Sequence, residues 1–483
     1  MEQELIKTEE IKREFMKKKI LFVFRNPLGI PYYDMGIASL SGQLKKAGHD
    51  VCLVDFTFGL KDNKGIKIIK NQNPDIICFA LRSNEKEDVI NFVNKIKEQK
   101  INIPTLAGGS YPTVDPNDAI KYFDAICIGE AEEAIIDFVN NLDKNNIKNF
   151  WYNKDGEIIK NGIRPLINNL DLLAWYDLKI FDIEKYIKAK HGELEFITQK
   201  GCPYKCSYCI HNFFHKINEG KPLKMRYYSA EKIVPLMAEA CKKYKVKRIK
   251  FNDDIFNMYH PRLKKFCELY TKEIGLPFEC SMRVDLCTKE MFTWLKMANC
   301  QKVEMAIESG DFEMRKKIQK PITDEQIINA FRWAKEAGVP TMSLNMVGLP
   351  LETKEQIQKS IDLNRKVQPD YIQVSIFTPY YGTDLYDFSV ENNLLKTNKI
   401  DISYYMGDYL YNPNITSKEL QKIRKTFAYK SFKDRSLFKA YMLLIREYAT
   451  PHYLRHGRII PLWVKNMIYM MFWTFKPLKF MSK

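Results

Sequence analysis

Strand-like apolar runs alternate with helical stretches through most of this 483-residue chain, and this alternation constrains the fold more than any other feature. Five such runs come first: Ile20–Phe24, Val51–Val54, Ile76–Leu81, Thr105–Ala107 and Ala125–Ile128. Helical patterns separate them, for example at Asp88–Gln99. Strands that alternate with helices form βαβ crossovers and a parallel sheet. We therefore predict a doubly wound, Rossmann-like α/β domain over residues 19–150, with its ligand site at the carboxyl ends of the strands.

A second series of strand-like runs follows residue 190. Its members are Leu194–Thr198, Arg248–Phe251, Phe278–Met282, Lys302–Ile307, Thr341–Met346 and Tyr371–Ile376. Helical stretches fill the gaps, which predicts a partial or full parallel β/α barrel over residues 191–395 with its chemistry at the strand carboxyl ends. We predict a leader helix at 1–18, a connecting segment at 151–190 and a helical C-terminal region at 396–483.

Composition excludes several protein classes. The chain is 45% hydrophobic and 28% charged, which is globular and rules out a disordered or collagen-like protein. Its 11 cysteines are an odd number and mostly sit singly in apolar runs, unlike a secreted disulfide framework. The start, MEQELIKTEE, lacks the apolar stretch of a signal peptide, and no run of 18 apolar residues occurs. These features predict a cytoplasmic protein.

One cysteine cluster stands out, at Gly201-Cys202-Pro-Tyr-Lys-Cys206-Ser-Tyr-Cys209, directly after the first predicted barrel strand. Three thiolates on one tight loop can each bind a different iron of a cubane cluster, which leaves the fourth iron open for a small chelating ligand. Two alternatives are a zinc site completed by His211 or His215, and three ordinary thiols.

The C-x3-C-x2-C spacing, with an aromatic residue before the last cysteine at the start of a β/α barrel, resembles the radical S-adenosylmethionine (SAM) superfamily. The resemblance extends over about residues 194–386. It implies a [4Fe-4S] cluster on the three cysteines that reductively cleaves SAM to a 5′-deoxyadenosyl radical. It also implies SAM contacts from Tyr208, Asn252, Asp253, Asp254, Ser281, Arg283, Glu308 and Gly348. Two positions depart from the family pattern: Leu351 replaces the second glycine of G-L-P-G-E-T, and Tyr381 replaces a proline.

Residues 19–143 resemble the cobalamin-binding domain that is fused to one radical SAM subfamily, through NPLGIPYYDMGIASLSGQL, AGGSYPT and IGEAEEAI. The resemblance implies cobalamin contacts from Asn26, Gly29, Leu81, Ser83, Gly108, Gly109, Ser110, Gly129 and Glu130. The D-x-H-x-x-G signature, whose histidine binds cobalt from below, is absent, and His49 lies before a strand instead. We therefore expect cobalamin in the His-off form. A domain that has lost its ligand is the alternative.

The C-terminal region is strongly basic and aromatic. Residues 415–483 contain 15 Lys or Arg and 3 Asp or Glu. Ile459–Phe475 adds five aromatic residues, Trp463, Tyr469, Phe472, Trp473 and Phe475. This pattern suits a helical cap on the barrel mouth that keeps its charges on a solvated face, or an interfacial helix on an anionic membrane. The two can combine, because a cap could also dock on a membrane, and nucleic-acid binding is disfavoured.

Together these features predict a cobalamin-dependent radical SAM methyltransferase that acts on an unactivated carbon of a small molecule or a lipid. We expect a reducing partner such as flavodoxin or ferredoxin, and a cytoplasmic location with peripheral membrane contact. The alternatives are radical cyclisation or rearrangement, a radical SAM enzyme with an empty N-terminal domain, and a zinc-stabilised binding module. A tRNA methylthiolase would need a second cysteine set, for which only Cys52, Cys78 and Cys127 are available.

Overall fold

The computed structural model describes residues 16–27, 29–218, 223–397 and 407–456. The chain divides into two compact units. The first comprises residues up to 26 together with 32–167 and 172–182, and the second comprises 27–31, 168–171 and the residues from 183 onward. Of the predicted leader helix, residues 1–15 lie outside the described residues, and 16–18 are not helical. The five aromatic residues of the predicted interfacial helix also lie outside the described part of the chain.

The first unit contains one sheet of seven strands in the order β2-β1-β3-β4-β5-β6-β7. The strands are β1 (Lys19–Phe24), β2 (Asp50–Asp55), β3 (Ile76–Ala80), β4 (Thr105–Gly108), β5 (Ala125–Cys127), β6 (Phe150–Lys154) and β7 (Glu157–Lys160). The helices are α1 (Met35–Lys46), α2 (Asp62–Gln72), α3 (Lys86–Glu98), α4 (Ser110–Val114), α5 (Pro116–Ala119) and α6 (Ala134–Asn140). Strands β1 to β5 are parallel, which confirms the predicted doubly wound fold.

Strand β1 forms the centre of this sheet. It pairs with β2 on one side and β3 on the other, with Ile20 opposite both Val51 and Ile76. Its residues from Ile20 to Phe24 are almost fully buried, because both faces of a parallel sheet are covered by helices. The strand order reverses between β1 and β3, so the crevice for a ligand opens at their carboxyl ends.

Residues 150–160 differ from the prediction. We assigned most of them to a connecting segment, but β6 and β7 form an antiparallel hairpin that extends the first sheet. Asp155 and Gly156 make the turn with φ angles of 51° and 96°. Both angles suit a two-residue hairpin, for which Asp-Gly is a strong signal.

The second unit contains a parallel six-stranded sheet in the order β15-β14-β13-β12-β11-β8. Its strands are β8 (Glu193–Phe196), β11 (Arg248–Phe251), β12 (Phe278–Met282), β13 (Cys300–Glu308), β14 (Thr341–Val347) and β15 (Tyr371–Ile376), and a short hairpin joins β9 (Gln199–Lys200) to β10 (Arg226–Tyr227). The helices are α7 (Ile183–Ala189), α8 (Ile210–Ile217), α9 (Ala230–Lys243), α10 (His260–Glu273), α11 (Lys289–Met297), α12 (Phe312–Lys317), α13 (Asp324–Glu336), α14 (Lys354–Val367) and α15 (Asp384–Glu391). This arrangement is the partial parallel β/α barrel that the sequence predicts.

The two faces of this second sheet differ in chemistry. On the apolar face, Phe251 packs edge-on against Phe266 and Tyr270 of α10. On the opposite face, residues adjacent in register carry alternating charges, as in the neighbours Lys250, Glu279 and Lys302. Lys302 lies 2.7 Å from Glu279. Opposite charges side by side on a sheet attract, so this face can be buried while charged.

Two C-terminal helices, α16 (Ser417–Phe432) and α17 (Leu437–His456), complete the described chain and pack on β15. Two arginines of this region donate to backbone carbonyls near that edge strand. Arg435 reaches Pro369 O at 2.6 Å, and Arg446 reaches Ile372 O at 3.1 Å. The predicted helical C-terminal region is therefore present. No helix within the described residues has the length and apolar character needed to cross a membrane.

Candidate active site

The three cysteines of the motif lie on a loop at the carboxyl end of β8. Gly201 has a φ of 84°, which glycine adopts easily, and turns the chain into the loop. Cys202 and Cys206 are buried, and Cys209 is the residue before the first turn of α8. Burial, with smaller contributions from the neighbouring thiolates, raises the pKa of Cys202 to about 11 and that of Cys209 to about 12. Because thiolates here repel one another, a bound cation would strongly stabilise them.

This donor set suits an iron–sulfur cluster, which takes soft thiolate ligands. All three thiols are free cysteines. In the described residues no three Cys, His, Asp or Glu side chains converge on one point as ligands of an ion do. Thiolates that each bind a different iron need not converge.

The histidines proposed for a zinc site have other partners. His215 is buried, with Nε2 3.1 Å from the carbonyl oxygen of Cys202 and Nδ1 accepting from the Leu223 amide at 3.3 Å. His211 Nε2 lies 2.8 Å from the Asp254 carboxylate. Since the backbone engages both ring nitrogens of His215, this histidine is not available to complete a Cys3His zinc site.

Arg283 lies beside the cysteine loop. One of its guanidinium nitrogens is 3.9 Å from Cys206 Sγ, and the guanidinium stacks 3.4 Å from the centre of the Tyr204 ring. The buried amide of Asn257 fixes the Arg283 backbone by accepting from its N–H at 2.9 Å and donating to its carbonyl at 3.0 Å. The geometry places this predicted SAM residue next to a thiol, where a fixed positive charge stabilises an anionic cluster.

Tyr208, Glu308 and Lys320 form a compact buried group at the end of β13. The Tyr208 hydroxyl donates to Glu308 Oε1 at 2.7 Å, and the Lys320 ammonium donates to the same oxygen at 2.8 Å. Burial, followed by the Glu308 charge, raises the pKa of Tyr208 well above its usual value. Glu308 follows a register shift in β13 and has a φ of 62°, a conformation that non-glycine residues rarely adopt. Strain at this position is typical of a functional site.

Sequence reasoning missed Lys320. It lies twelve residues after Glu308, beyond α12, and belongs to no motif that we identified. Its ammonium is nearly buried, and a buried ammonium requires an anionic partner. The structure thus adds a cation to the predicted SAM-binding group, suited to the carboxylate end of an amino-acid ligand.

The three polar residues after β11 take different positions. Asp253 is buried and accepts from the Thr198 amide at 2.7 Å and from its hydroxyl at 3.0 Å. Burial raises its pKa to about 6. Asn252 and Asp254 are exposed. The Asp253 carboxylate therefore holds the end of β8, whereas its two neighbours are open to solvent. Contact of these three residues with SAM stays a prediction.

Ser281 and Gly348 also have local roles. Ser281 Oγ lies 3.4 Å from Glu304 on the charged face of the sheet. Gly348 has a φ of 77°, and a Cβ there would lie 2.8 Å from a methyl group of Leu420. The Gly348 amide donates to Glu352 at 2.7 Å. Glu352 is fully buried, which raises its pKa to about 8. Leu351, the departure from the family pattern, occupies the left-handed region with a φ of 61°.

Most of the predicted cobalamin residues follow the carboxyl ends of β1, β3, β4 and β5 in the first unit. Those that are at least partly exposed there are Ser83, Gly108, Gly109, Ser110, Gly129 and Glu130. Such an edge, at the point where the strand order reverses, suits a large ligand. Asn26 and Leu81 are buried, and Gly29 groups with the second unit. The structure therefore brings together only part of the predicted set.

Gly109 has a structural role that does not depend on a ligand. A Cβ at this position would lie 2.8 Å from the carbonyl oxygen of Leu81. Its φ of 111° also excludes most side chains. Gly109 is therefore required by the loop after β3, whether or not a ligand binds.

Cys52, Cys78 and Cys127 do not form the second cysteine set of a methylthiolase. They lie within strands β2, β3 and β5. Burial raises the pKa of Cys127 to about 12 and that of Cys78 still higher. No metal-ligating group of three exists among the described residues of this unit.

Two family models match the chain, the radical SAM superfamily at residues 196–363 and the B12 binding domain at residues 23–139. The chain is 28% identical over 414 residues to an uncharacterized methyltransferase from Pyrococcus horikoshii, which covers 82% of this chain and 87% of that protein. It is 26% identical over 371 residues to the anaerobic magnesium-protoporphyrin IX monomethyl ester cyclase of Rubrivivax gelatinosus, with 72% and 65% covered. The solved structure of the cobalamin-dependent S-adenosylmethionine radical enzyme OxsB with aqua-cobalamin bound has a TM-score of 0.72 at 18% identity, with 91% and 73% covered.

These matches agree with the geometry. The B12 model falls on the parallel sheet of the first unit, and the radical SAM model begins in β8 and spans the cysteine loop. The two domains imply a [4Fe-4S] cluster, SAM and cobalamin as cofactors. The chain is a radical SAM enzyme of the cobalamin (B12)-binding-domain-containing radical SAM protein family.

Proposed function

We propose that this enzyme methylates an unactivated carbon of its substrate. The main support is the methyltransferase relative, whose similarity runs through both domains over 82% of this chain. When bound, the cluster supplies an electron for SAM cleavage, and cobalamin supplies the methyl-transfer chemistry. One turnover would consume two SAM molecules and two electrons. It would replace a C–H bond by a C–CH3 bond and yield one 5′-deoxyadenosine, one methionine and one S-adenosylhomocysteine.

The residues of the second unit would bind and orient the reactants. Cys202, Cys206 and Cys209 would hold the cluster, and Arg283 would stabilise its negative charge from 3.9 Å. The remaining SAM contacts would come from the group at the end of β13. Glu308 would accept hydrogen bonds from the ribose hydroxyls. The Lys320 ammonium, 2.8 Å from Glu308, would pair with the SAM carboxylate.

Cobalamin would bind in the His-off form. His49 is the single histidine in residues 19–150 of the sequence. It is buried and precedes β2, at the amino end of the parallel strands, whereas the candidate cobalamin loops follow their carboxyl ends. Residues at opposite ends of the strands of one sheet cannot bind the same cobalt ion. No histidine of this domain is therefore placed to bind the metal from below.

The electrons would come from a flavodoxin or ferredoxin, and the substrate would be a small molecule or a lipid. The test uses protein reconstituted anaerobically with iron, sulfide and hydroxocobalamin, then desalted. Titanium(III) citrate serves as the reductant and CD3-labelled SAM as the methyl donor. We expect S-adenosylhomocysteine to form only when cobalamin is bound, and 5′-deoxyadenosine to be absent in Cys206→Ala. Formation of 5′-deoxyadenosine without any S-adenosylhomocysteine would contradict the proposal.

The same test addresses a second candidate, radical cyclisation. The cyclase of Rubrivivax gelatinosus, 26% identical over 72% of this chain, favours it. A cyclase would consume SAM as a radical source, without transferring its methyl group. Labelled methyl recovered in a product would exclude cyclisation, whereas 5′-deoxyadenosine alone with cobalamin bound would support it.

A further inference from the structure

The outer side of helix α17 carries a stripe of large apolar side chains. Phe438 is 73% exposed, and Tyr441, Ile445 and Tyr448 are each 54% exposed. Their spacing of three or four residues places them on one side of the helix, one turn apart. Exposed apolar residues in a contiguous stripe, rather than scattered singly, mark an interaction surface.

Helix α16 contributes lysines next to this stripe. The Lys425 ammonium lies 4.9 Å from the centre of the Tyr448 ring, and Tyr429 meets Tyr441 with ring centres 5.3 Å apart. Lys422 is exposed on the same helix, three residues before Lys425, and Lys433 is exposed directly after the end of the helix, four residues after Tyr429. We call the stripe with these lysines, residues 422, 425, 433, 438, 441, 445 and 448, the basic aromatic face.

The face cannot turn inward, because the opposite side of α17 is fixed. Ala440 and Leu443 are buried in a core with Phe427 and Phe432 of α16. Glu447 forms a buried ion pair with Arg424 at 2.7 Å. Rotating α17 would break this ion pair and expose the core, so the basic aromatic face is a permanent outer surface of the second unit.

Charge indicates what covers this face. Residues 417–448 contain nine Lys or Arg and three Asp or Glu. The segment after α17, residues 457–483, contains five Lys or Arg and no Asp or Glu. This segment would add positive charge to a surface that is already positive, and so would a second copy of the chain. An anionic surface complements both, and tyrosines beside lysines suit the headgroup level of a bilayer.

We infer that the basic aromatic face docks the enzyme on an anionic lipid surface, with the stripe of α17 in the headgroup region and the lysines of α16 over the lipid phosphates. Binding of this kind is peripheral and reversible. The inference does not depend on the reaction that the enzyme catalyses, and SAM cleavage measured without lipid reports the active site separately.

The test is sedimentation of the full-length protein with vesicles of phosphatidylcholine alone or with phosphatidylglycerol added. We expect binding to the anionic vesicles only, weakened by salt. Each of Lys422→Gln, Lys425→Gln and Lys433→Gln should weaken partitioning roughly fivefold, the equivalent of about 1 kcal/mol per cation at an anionic surface. Phe438→Ser with Ile445→Ser should weaken it by tenfold or more, given ~1.5–3 kcal/mol for burying one such side chain.

Matched controls are Lys272→Gln, Leu172→Ser and Met297→Ser, which change exposed residues elsewhere and should bind like wild type. Unfolding temperature and SAM cleavage should be unchanged in every variant. Four results would overturn the inference. The first is that the protein shows no preference for anionic vesicles, and the second is that the face variants bind fully whereas Trp463→Ser and Trp473→Ser lose binding. The third is that the face variants convert a dimer to a monomer, and the fourth is that the protein binds single-stranded RNA more tightly than vesicles. Competition by free glycerol phosphate, in place of vesicles, would also contradict a surface site.

Discussion

Removing the ammonium of Lys320 tests the central group of the candidate SAM site. Lys320 lies 2.8 Å from Glu308, and the two side chains are 7% and 11% exposed. The change Lys320→Met keeps the length and apolar stem of the side chain but leaves the Glu308 carboxylate buried without a cation. The Tyr208 hydroxyl, at 2.7 Å, remains as its donor.

The expected cost follows from the burial of the pair. Breaking a buried ion pair by removing one partner costs about 3–5 kcal/mol. We expect about 3 kcal/mol, since Tyr208 still donates to Glu308, and this lowers the unfolding temperature by roughly 6 °C. The double variant Lys320→Met/Glu308→Gln leaves no uncompensated charge. It should recover about 2 kcal/mol relative to the sum of the single changes.

Two measurements on anaerobically reconstituted protein check this reasoning, the unfolding temperature and the Kd for SAM. We expect Lys320→Met to bind SAM at least about tenfold more weakly, the equivalent of roughly 1.4 kcal/mol, with unchanged iron content and cluster absorption. The matched control is Lys289→Met, which breaks an exposed pair with Glu336 and should cost under about 1 kcal/mol. Wild-type stability and SAM affinity in Lys320→Met would refute the role of this ion pair.

Four further variants test other contacts of the site. Glu352→Gln should remove a pH dependence of the free energy of unfolding. The pKa of Glu352 is about 8 in the folded protein and 4.5 ordinarily, so the native state holds one more proton than the unfolded state between these pH values. Wild-type stability therefore falls as the pH rises from about 5 to 8, by up to ~1.4 kcal/mol per pH unit. Thermal unfolding at several pH values should show the variant gaining on wild type over that range, and parallel curves would contradict the assignment. Arg283→Gln removes a cation 3.9 Å from Cys206 and should make the cluster harder to reduce, as a redox titration followed by electron paramagnetic resonance would show, and an unchanged potential would argue against this contact. Asp253→Asn should cost about 1–3 kcal/mol of stability, whereas Asp254→Asn should weaken SAM binding and leave the unfolding temperature unchanged. Weaker SAM binding in Asp253→Asn with an unchanged unfolding temperature, and loss of stability in Asp254→Asn, would instead assign the SAM contact to Asp253.

The sequence predicts the strands well because apolar periodicity reflects burial, which is what sets a parallel sheet. All eleven strand-like runs are strands of the two parallel sheets. The β6–β7 hairpin was missed because its residues are half exposed, which weakens the apolar pattern, although Asp155-Gly156 carried a usable turn signal. The hairpin of β9 and β10 joins Lys200 to Arg226, and no local pattern could predict a pairing so distant in sequence.

The residues of the candidate site were also predictable only where the signal is local in the sequence. The three cysteines were predictable because a ligand set on one loop is a local feature with a chemical spacing. Lys320 was not, because it meets Glu308 only once α12 and the strained end of β13 have formed. The adjacent residues Asp253 and Asp254 show the same limit: one is buried and the other exposed, and only the packing around Thr198 decides which.

A residue that belongs to a cofactor motif can therefore be required by the fold, whether or not it contacts the cofactor. Gly109 and Gly348 stand in motifs linked to cobalamin and SAM, yet a Cβ at either would clash with the protein itself, with Leu81 or with Leu420. Loss of activity after Gly348→Ala would thus not assign a SAM contact, because an alanine with a φ of 77° would be strained whether or not SAM binds there. Lys320→Met does not have this ambiguity. It removes a charge without adding volume, so weaker SAM binding with an intact cluster would implicate the ammonium itself.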